Sequence, residues 1–95
     1  MNLTRFTNQV VIITGAASGI GRACAERFAQ EGANIACLDF DADRNEETAK
    51  LCRSFGVEAL AFKCDVTQKS DLQTAVGATL EAWGRLDVLV ASAGI

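Results

Sequence analysis

The chain has 95 residues, of which 49% are hydrophobic and 22% are charged, and its formal net charge is −3 at pH 7. This balance is typical of a globular domain, and the acidic charge argues against nucleic acid or anionic lipid as a partner. No apolar run approaches the roughly 20 residues of a membrane span, and residues 1–8 lack the apolar core of a signal peptide. We therefore expect one domain at most, located in the cytoplasm and not in a membrane.

The cysteines argue against a metal site. They are widely spaced, form no C-x-x-C pair, and the sequence contains no histidine that could complete a zinc site. Each one falls within a predicted helix or strand, which favours small buried side chains in a reducing cytosol. The four residues are Cys24, Cys37, Cys52 and Cys64.

A glycine-rich turn follows the first apolar run. Residues 10–13 are β-branched and apolar, which is typical of a parallel strand that is buried on both faces. Gly15, Gly19 and Gly21 then stand where a backbone turns sharply, approaches a ligand or packs against a strand. A helix is predicted next, and its free N–H groups and positive dipole end suit a diphosphate. The pattern favours a nucleotide site, and the alternative is a tight strand-to-helix turn without a ligand.

The elements that follow are predicted from periodicity. The first helix stops at Gly32, and a second buried strand covers residues 34–39. A second helix with one charged face covers residues 43–55. The apolar face of the first helix is predicted to consist of Ile20, Ala23, Cys24 and Phe28.

The carboxyl-terminal part repeats the alternation. A third strand is predicted over residues 58–65, and a third helix begins with Ser70 and Gln73, which are spaced as a capping box. Gly84 ends that helix, and a fourth strand covers residues 87–92 before another turn. The apolar stripe of the third helix is predicted to consist of Leu72, Val76, Thr79, Leu80 and Trp83.

Four strands that alternate with three helices predict an α/β fold. Right-handed crossovers give the parallel sheet the order 3-2-1-4, a Rossmann-like three-layer α/β/α arrangement that is an incomplete doubly wound fold. The first two helices should cover one face of the sheet, and the third helix should cover the other face only in part. We therefore expect exposed apolar strand surface and a bare edge at the fourth strand, which invite pairing with another chain.

Residues 14–21 read TGAASGIG and resemble the T-G-x-x-x-G-x-G cofactor motif of the short-chain dehydrogenase/reductase family. The resemblance runs from about residue 9 to the last residue, and it implies an NAD(P)-binding Rossmann-like domain over residues 1–95. The parent activity that it implies is the reversible oxidation of a secondary alcohol to a carbonyl. Together with the pattern above, it indicates as cofactor-binding residues Gly15, Ser18, Gly19, Ile20, Gly21, Asp39, Asp65, Val66, Ala91 and Gly94.

Asp39 ends the second strand, where a carboxylate can hold the ribose hydroxyls of a dinucleotide. The same charge opposes a 2′-phosphate, at a cost of about 4 kcal/mol for charges about 4 Å apart before screening. This predicts NAD rather than NADP. The resemblance agrees, because NADP-preferring members place basic residues where Ser18 and Phe40 stand, although Arg44 is a nearby cation. The alternative is that Asp39 is an ordinary solvated loop charge.

The resemblance also implies that Asp65 and Val66 flank the adenine ring. A compatible alternative is that Asp65 or Thr67 caps the third helix.

At the end of the chain, Ala91 and Ser92 stand where the family's N-N-A-G segment usually has two asparagines, and Gly94 lets the backbone approach the nicotinamide ribose. We expect this departure to remove side-chain hydrogen bonds that tie the fourth strand to its neighbours.

No catalytic residue is predicted. The family's catalytic serine and Y-x-x-x-K segment would follow the last residue, and the sequence contains no tyrosine. Ser92 has no lysine or histidine beside it in sequence that could activate it. The resemblance thus implies a chain truncated before the catalytic half, which binds NAD but does not turn over.

The alternative function is a non-catalytic nucleotide-binding or interaction module. Such a module would pair with itself or with a full-length relative through the fourth strand. An S-adenosylmethionine site also uses a glycine turn and an acidic strand end, but Thr14 and the glycine spacing argue against it.

Overall fold

The computed structural model describes residues 5–92. Strands and helices alternate throughout, and the four strands form one parallel sheet in the order β3-β2-β1-β4. The predicted sheet order is therefore confirmed. In chain order the elements are β1 (Val10–Thr14), α1 (Gly19–Gln30), β2 (Asn34–Asp39), α2 (Ala42–Arg53), β3 (Ala59–Lys63), α3 (Lys69–Trp83) and β4 (Val88–Ala91).

The two central strands are buried because branched apolar side chains occupy both of their faces. All five residues of β1 are buried, and so are the four inner residues of β2. Ile12 of β1 pairs with Ala36 of β2 on one side and with Leu89 of β4 on the other. The sheet is thus built outward from β1, whose carboxyl end leads into the glycine turn.

Each face of the sheet carries its own apolar core. On one face Val11 and Ile13 pack with Ala25 of α1 and Ala49 of α2. On the other face Ile12 packs with residues of α3 such as Ala75. The predicted division, with α1 and α2 on one face and α3 on the other, is confirmed.

The predicted buried face of α1 is wrong in part. The helix buries Gly21, Ala25 and Ala29, whereas Ile20 is 58% exposed. Small residues face the sheet because α1 begins very close to the end of β1. Phe28 is half-buried, and its ring centroid lies 5.0 Å from that of Phe6.

The start of α3 also differs from the prediction. The helix begins at Lys69, its N-cap residue is Gln68, and no side chain caps it. Ser70 and Gln73 therefore lie inside the first turns and do not form a capping box. Gly84 ends the helix as predicted, in a left-handed conformation with φ 72°.

The outer strand β4 is shorter than predicted and only partly covered. Val88 and Val90 pack against the core beneath α1 and α2. Because side chains alternate along a strand, Leu89 points to the α3 face, where it is 54% exposed. Among residues 5–92, β4 pairs only with β1, so the expected exposed apolar surface and edge are present in the described part of the chain.

Candidate functional site

One cavity of about 490 Å³ opens at the carboxyl ends of the strands. This is the end of an open parallel sheet at which ligands bind. Eight of the ten residues predicted to bind the cofactor line it, and three further residues, Phe40, Cys64 and Ser92, complete the lining. The eight are Gly15, Ser18, Gly19, Ile20, Gly21, Asp39, Asp65 and Val66.

The other two predicted residues are placed differently. Ala91 ends β4 and is exposed, and it is not part of the cavity lining. Gly94 lies outside the described residues. The predicted residues at and after the carboxyl ends of β1, β2 and β3 therefore line one cavity, whereas Ala91 at the end of β4 does not line it.

The glycine turn needs its glycines for two different reasons. Gly15 and Gly19 have φ angles of 68° and 59°, the left-handed region that favours glycine. Gly21 instead needs space, because a Cβ there would collide with the carbonyl of Gly15 and lie 2.6 Å from the Ser92 hydroxyl oxygen. The turn thus brings the start of α1 against the ends of β1 and β4.

The start of α1 offers hydrogen-bond donors to the cavity. The first backbone bond of the helix runs from the N–H of Arg22 to the carbonyl of Ser18, at 3.4 Å. The preceding N–H groups, of Gly19, Ile20 and Gly21, have no acceptor within the helix. Ser18 is the extended N-cap residue, and its side chain makes no capping bond. Orphan N–H groups and the positive end of the helix dipole favour an anionic group at this point.

The Asp39 carboxylate is fixed by two backbone groups. It accepts a hydrogen bond from the N–H of Ala17 at 3.0 Å and another from the N–H of Asp41 at 2.9 Å. These bonds join the end of β2 to the glycine turn and to the start of α2. Each carboxylate oxygen keeps a second lone pair, so Asp39 can still accept a bond from a ligand hydroxyl. The hydrogen bond from Ala17 gives Asp39 a structural role in the glycine turn, which the sequence pattern did not predict.

The loop after β3 is closed by its own side chains. Asp65 accepts hydrogen bonds from the Thr67 hydroxyl at 2.6 Å and the Thr67 N–H at 2.9 Å, while its own N–H donates to Asp71 at 3.1 Å. The hydroxyl bond from Thr67, followed by its N–H bond, lowers the pKa of Asp65. Neither Asp65 nor Thr67 is the N-cap of α3, so the capping alternative is wrong. Val66 is 40% exposed at the cavity.

An aromatic ring and a cation lie beside Asp39. Phe40 is 65% exposed in the cavity lining. The ammonium nitrogen of Lys63 lies 5.2 Å from the centroid of its ring. Lys63 pairs with Asp39 across β2 and β3. The sequence pattern did not single out Lys63, which is a basic residue two positions before Asp65.

Ser92 ties β4 to β1. Its N–H donates to the Thr14 hydroxyl oxygen at 3.1 Å, and its own hydroxyl donates to the Thr14 carbonyl. The expectation that this segment lacks side-chain bonds to neighbouring strands is therefore wrong, because a serine supplies them. Ser92 is 7% exposed and its hydroxyl is engaged, so it is not a free nucleophile.

The thiol of Cys64 is also unsuited to attack. Its side chain is buried, and burial, assisted by the charges of Asp71 and Asp65, raises its pKa. In the described part of the chain no group of three or more potential ligands could hold a metal ion. No helix among residues 5–92 is both long and apolar enough to cross a membrane.

The sheet order and the cavity at the strand ends define a Rossmann-like α/β domain. A family model described as short chain dehydrogenase matches residues 9–95. The chain therefore belongs to the short-chain dehydrogenase family.

Curated relatives are similar over almost the whole chain. An uncharacterized oxidoreductase of Thermotoga maritima is 44% identical over 90 residues, which cover 95% of this chain and 35% of the relative. The 2-(R)-hydroxypropyl-CoM dehydrogenase of Xanthobacter autotrophicus is 42% identical over 89 residues, which cover 93% and 36%. The chain thus spans about a third of the length of these relatives.

Solved structures show the same fold. The carveol dehydrogenase of Mycobacterium avium, in complex with NAD, superposes with a TM-score of 0.90 at 35% identity, over 97% of this chain and 38% of that one. A short chain dehydrogenase of Mycobacterium paratuberculosis bound to NAD gives a TM-score of 0.91 at 34% identity, over 96% and 38%. Both neighbours thus hold a nicotinamide dinucleotide.

Proposed function

We propose that the chain is the NAD-binding part of a short-chain dehydrogenase/reductase. The observation that carries this proposal is the cavity between the glycine turn and Asp39, at the amino-terminal end of α1. The NAD-bound structural neighbours support a nicotinamide dinucleotide as the ligand. When bound, NAD would carry the hydride between a secondary alcohol and the corresponding carbonyl. This reaction is the parent activity that we propose for the whole protein.

We assign the diphosphate to the first turn of α1. The N–H groups of Gly19 and Ile20 and the hydroxyl of Ser18 are the donors at this position. Gly15 and Gly21 shape the turn that presents these donors. Gly15 adopts a left-handed conformation, and a side chain at Gly21 would push α1 away from β1.

We assign the adenosine half to the ends of β2 and β3. Asp39 would accept hydrogen bonds from the ribose hydroxyls, and Asp65 and Val66 would flank the adenine. The charge of Asp39 supports NAD as the preferred cofactor, because a 2′-phosphate would meet a fixed carboxylate.

The nicotinamide half is assigned to Ala91 and Gly94 by the family motif alone. We assign no catalytic residue to these 95 residues and propose that they bind the cofactor without turnover. We place the protein in the cytoplasm, where reducing conditions keep its cysteines as free thiols.

Titration with NADH tests this function. The fluorescence of the nicotinamide is the suitable signal, because Trp83 ends α3 near the amino ends of the strands, away from the cavity. We expect saturable binding, and we expect Ser18→Asp to weaken it more than about tenfold through repulsion of the diphosphate. Aspartate is a good N-cap residue and favours a helix amino terminus, so this variant should stay folded.

Ser70→Asp is the matched control for that titration. It places the same charge in the exposed first turn of α3, outside the cavity lining. Its affinity for NADH should equal that of the unmodified chain. A folded chain that binds no NADH, or equal affinities for Ser18→Asp and Ser70→Asp, would contradict the proposed site.

A second candidate function, an interaction module, is favoured by one observation at β4. Leu89 is 54% exposed, and within residues 5–92 the strand has a neighbour on one side only. A second copy or a longer relative could pair with this edge. The oligomeric state of the chain distinguishes this candidate from a monomeric cofactor-binding domain.

A further inference from the structure

Lys63 ends β3 beside Asp39, the carboxylate that we assign to the ribose. We propose that Lys63 is a specificity-determining residue, whose ammonium group binds the 2′-phosphate of NADP and so limits the preference for NAD that Asp39 creates. This inference rests on the proposed cofactor site and concerns its adenosine end.

The register of the sheet brings the two opposite charges together. Asp39 and Lys63 are the last residues of β2 and β3, and they are paired neighbours in the parallel ladder. Phe40 follows Asp39 and lines the same cavity, and the Lys63 ammonium lies 5.2 Å from its ring centroid. Lys63 itself lines a separate cavity with Asp71 and Thr74, so its contact with Phe40 is what brings the ammonium group towards the cofactor cavity, on the side of the carboxylate that we assign to the ribose.

Lys63 is free to leave its present contact. Its side chain is exposed, and it is not a member of any salt bridge found among residues 5–92. An exposed contact between an ammonium group and a phenyl ring is weak, and the four-carbon stem of lysine is flexible. A phosphate is a stronger partner, because it offers opposite charge and several acceptor oxygens. The contact with Phe40 thus leaves the charge of the ammonium available to a phosphate.

The charges around this position have opposite effects on a 2′-phosphate. Asp39 repels it and Lys63 attracts it, so removing Asp39 should raise the NADP affinity relative to the NAD affinity, and removing Lys63 should lower it. Arg44 is the other nearby cation in sequence, in the first turn of α2, where its N–H donates to Asp41. Only Lys63 of these two cations contacts Phe40 in the described residues.

Calorimetric titration with NAD⁺ and NADP⁺ tests the inference, since the two differ only by the 2′-phosphate. The variants are made in an Asp39→Asn background, which removes the repulsion and makes NADP⁺ binding measurable. In that background Lys63→Gln should weaken NADP⁺ binding about fivefold to tenfold, or about 1 to 1.4 kcal/mol, and change NAD⁺ binding less than about twofold. Lys63→Arg should keep the NADP⁺ affinity, and the effect should shrink at high salt.

Arg44→Gln is the matched control, and it should leave the ratio of the two affinities unchanged. If NAD⁺ does not bind to the folded chain that keeps Asp39, the proposed function fails and the inference fails with it. If NAD⁺ binds and Lys63→Gln leaves the ratio unchanged, the inference alone is overturned and the cofactor site stands. A loss of NADP⁺ affinity in Arg44→Gln but not in Lys63→Gln would assign the role to Arg44 and also overturn it.

Discussion

Gly21 allows α1 to pack closely against the ends of β1 and β4 because it has no side chain. A methyl group there would meet the backbone carbonyl of Gly15 and lie 2.6 Å from the Ser92 hydroxyl oxygen. A backbone carbonyl cannot turn aside as a flexible side chain can, so α1 would have to move away from the sheet. We expect Gly21→Ala to lower the free energy of unfolding by about 2 kcal/mol or more. Urea unfolding measures this change.

Gly77→Ala controls for the general effect of the substitution in a helix. Gly77 lies within α3, and a Cβ added there would have no atom within 4 Å. Alanine is the better helix former by about 1 kcal/mol, so this variant should be more stable than the unmodified chain. If both variants shifted the unfolding midpoint in the same direction, close packing at Gly21 would not be the reason for its glycine.

At the scale of residues, the sequence revealed positions better than it revealed roles. Glycine spacing marked Gly15, Gly19 and Gly21, but it could not show that Gly21 packs against Ser92, which is distant in sequence. Lys63 was missed for the same reason, because its contact with Phe40 exists only after β2 and β3 have paired. Contacts between distant segments have no local pattern in the sequence.

At the scale of elements, Asp87 joins the beginnings of two strands. Its carboxylate accepts a bond from the N–H of Val10 at 2.8 Å and two bonds from Arg85, at 2.7 and 2.8 Å. The bonds from Arg85, and then the bond from Val10, lower the pKa of Asp87. Its N–H also donates to the Val10 carbonyl at 2.9 Å, so the start of β4 is fixed to the start of β1.

The lowered pKa sets the direction of a pH effect. A carboxylate with a lower pKa in the folded state stabilises the fold above its unfolded pKa of about 3.9 and loses this effect as the pH falls through the folded value. We expect Asp87→Asn to be less stable than the unmodified chain at pH 7, and we expect the difference to vanish on acidification. Urea midpoints measured from about pH 7 down to about pH 2, well below the ordinary pKa of an aspartate, test this.

Glu47→Gln is the control for that series, because Glu47 is an exposed carboxylate in the middle of α2. It should show little difference from the unmodified chain at any pH. A gap between Asp87→Asn and the unmodified chain that stayed constant down to low pH would show that the charge of Asp87 does not stabilise the β1–β4 junction.

Helix faces were harder to predict than strands. The apolar runs of β1 and β2 identify buried strands because both of their faces are covered. In α1 the largest apolar residue of the first turn, Ile20, turned out to be exposed at the cavity, and small residues face the sheet instead. The close approach of α1 to β1 selects for small size, which a pattern of hydrophobicity does not detect.

At the scale of the whole molecule, chain order and handedness were enough to predict the sheet. Four strands with right-handed crossovers allow few arrangements, and the order β3-β2-β1-β4 is the predicted one. The same reasoning predicted that one helix would cover the α3 face incompletely. The exposed Leu89 lies on this face, within the described residues.

The exposed side chain of Leu89 and the outer edge of β4, which is unpaired in the described part of the chain, predict that the isolated chain associates with itself. Leu89 is 54% exposed on a strand whose outer edge has no partner among residues 5–92, and such an edge is a template for another strand. Sedimentation equilibrium should show a mass that rises with concentration from 10.1 kDa towards twice that value. Leu89→Lys should hold the chain at the monomer mass, because a charged residue on an edge strand opposes pairing.

Leu80→Lys is the matched control. Leu80 is 44% exposed on α3 and is not part of β4, so this variant should still associate through the strand edge. Leu89→Lys should also keep the NADH affinity of the unmodified chain, because Leu89 is not part of the cavity lining. A chain that stays monomeric at every concentration would rule out the interaction module in its self-pairing form. If Leu89→Lys and Leu80→Lys reduce the association equally, the contact lies on the α3 face of the sheet and not at the edge of β4.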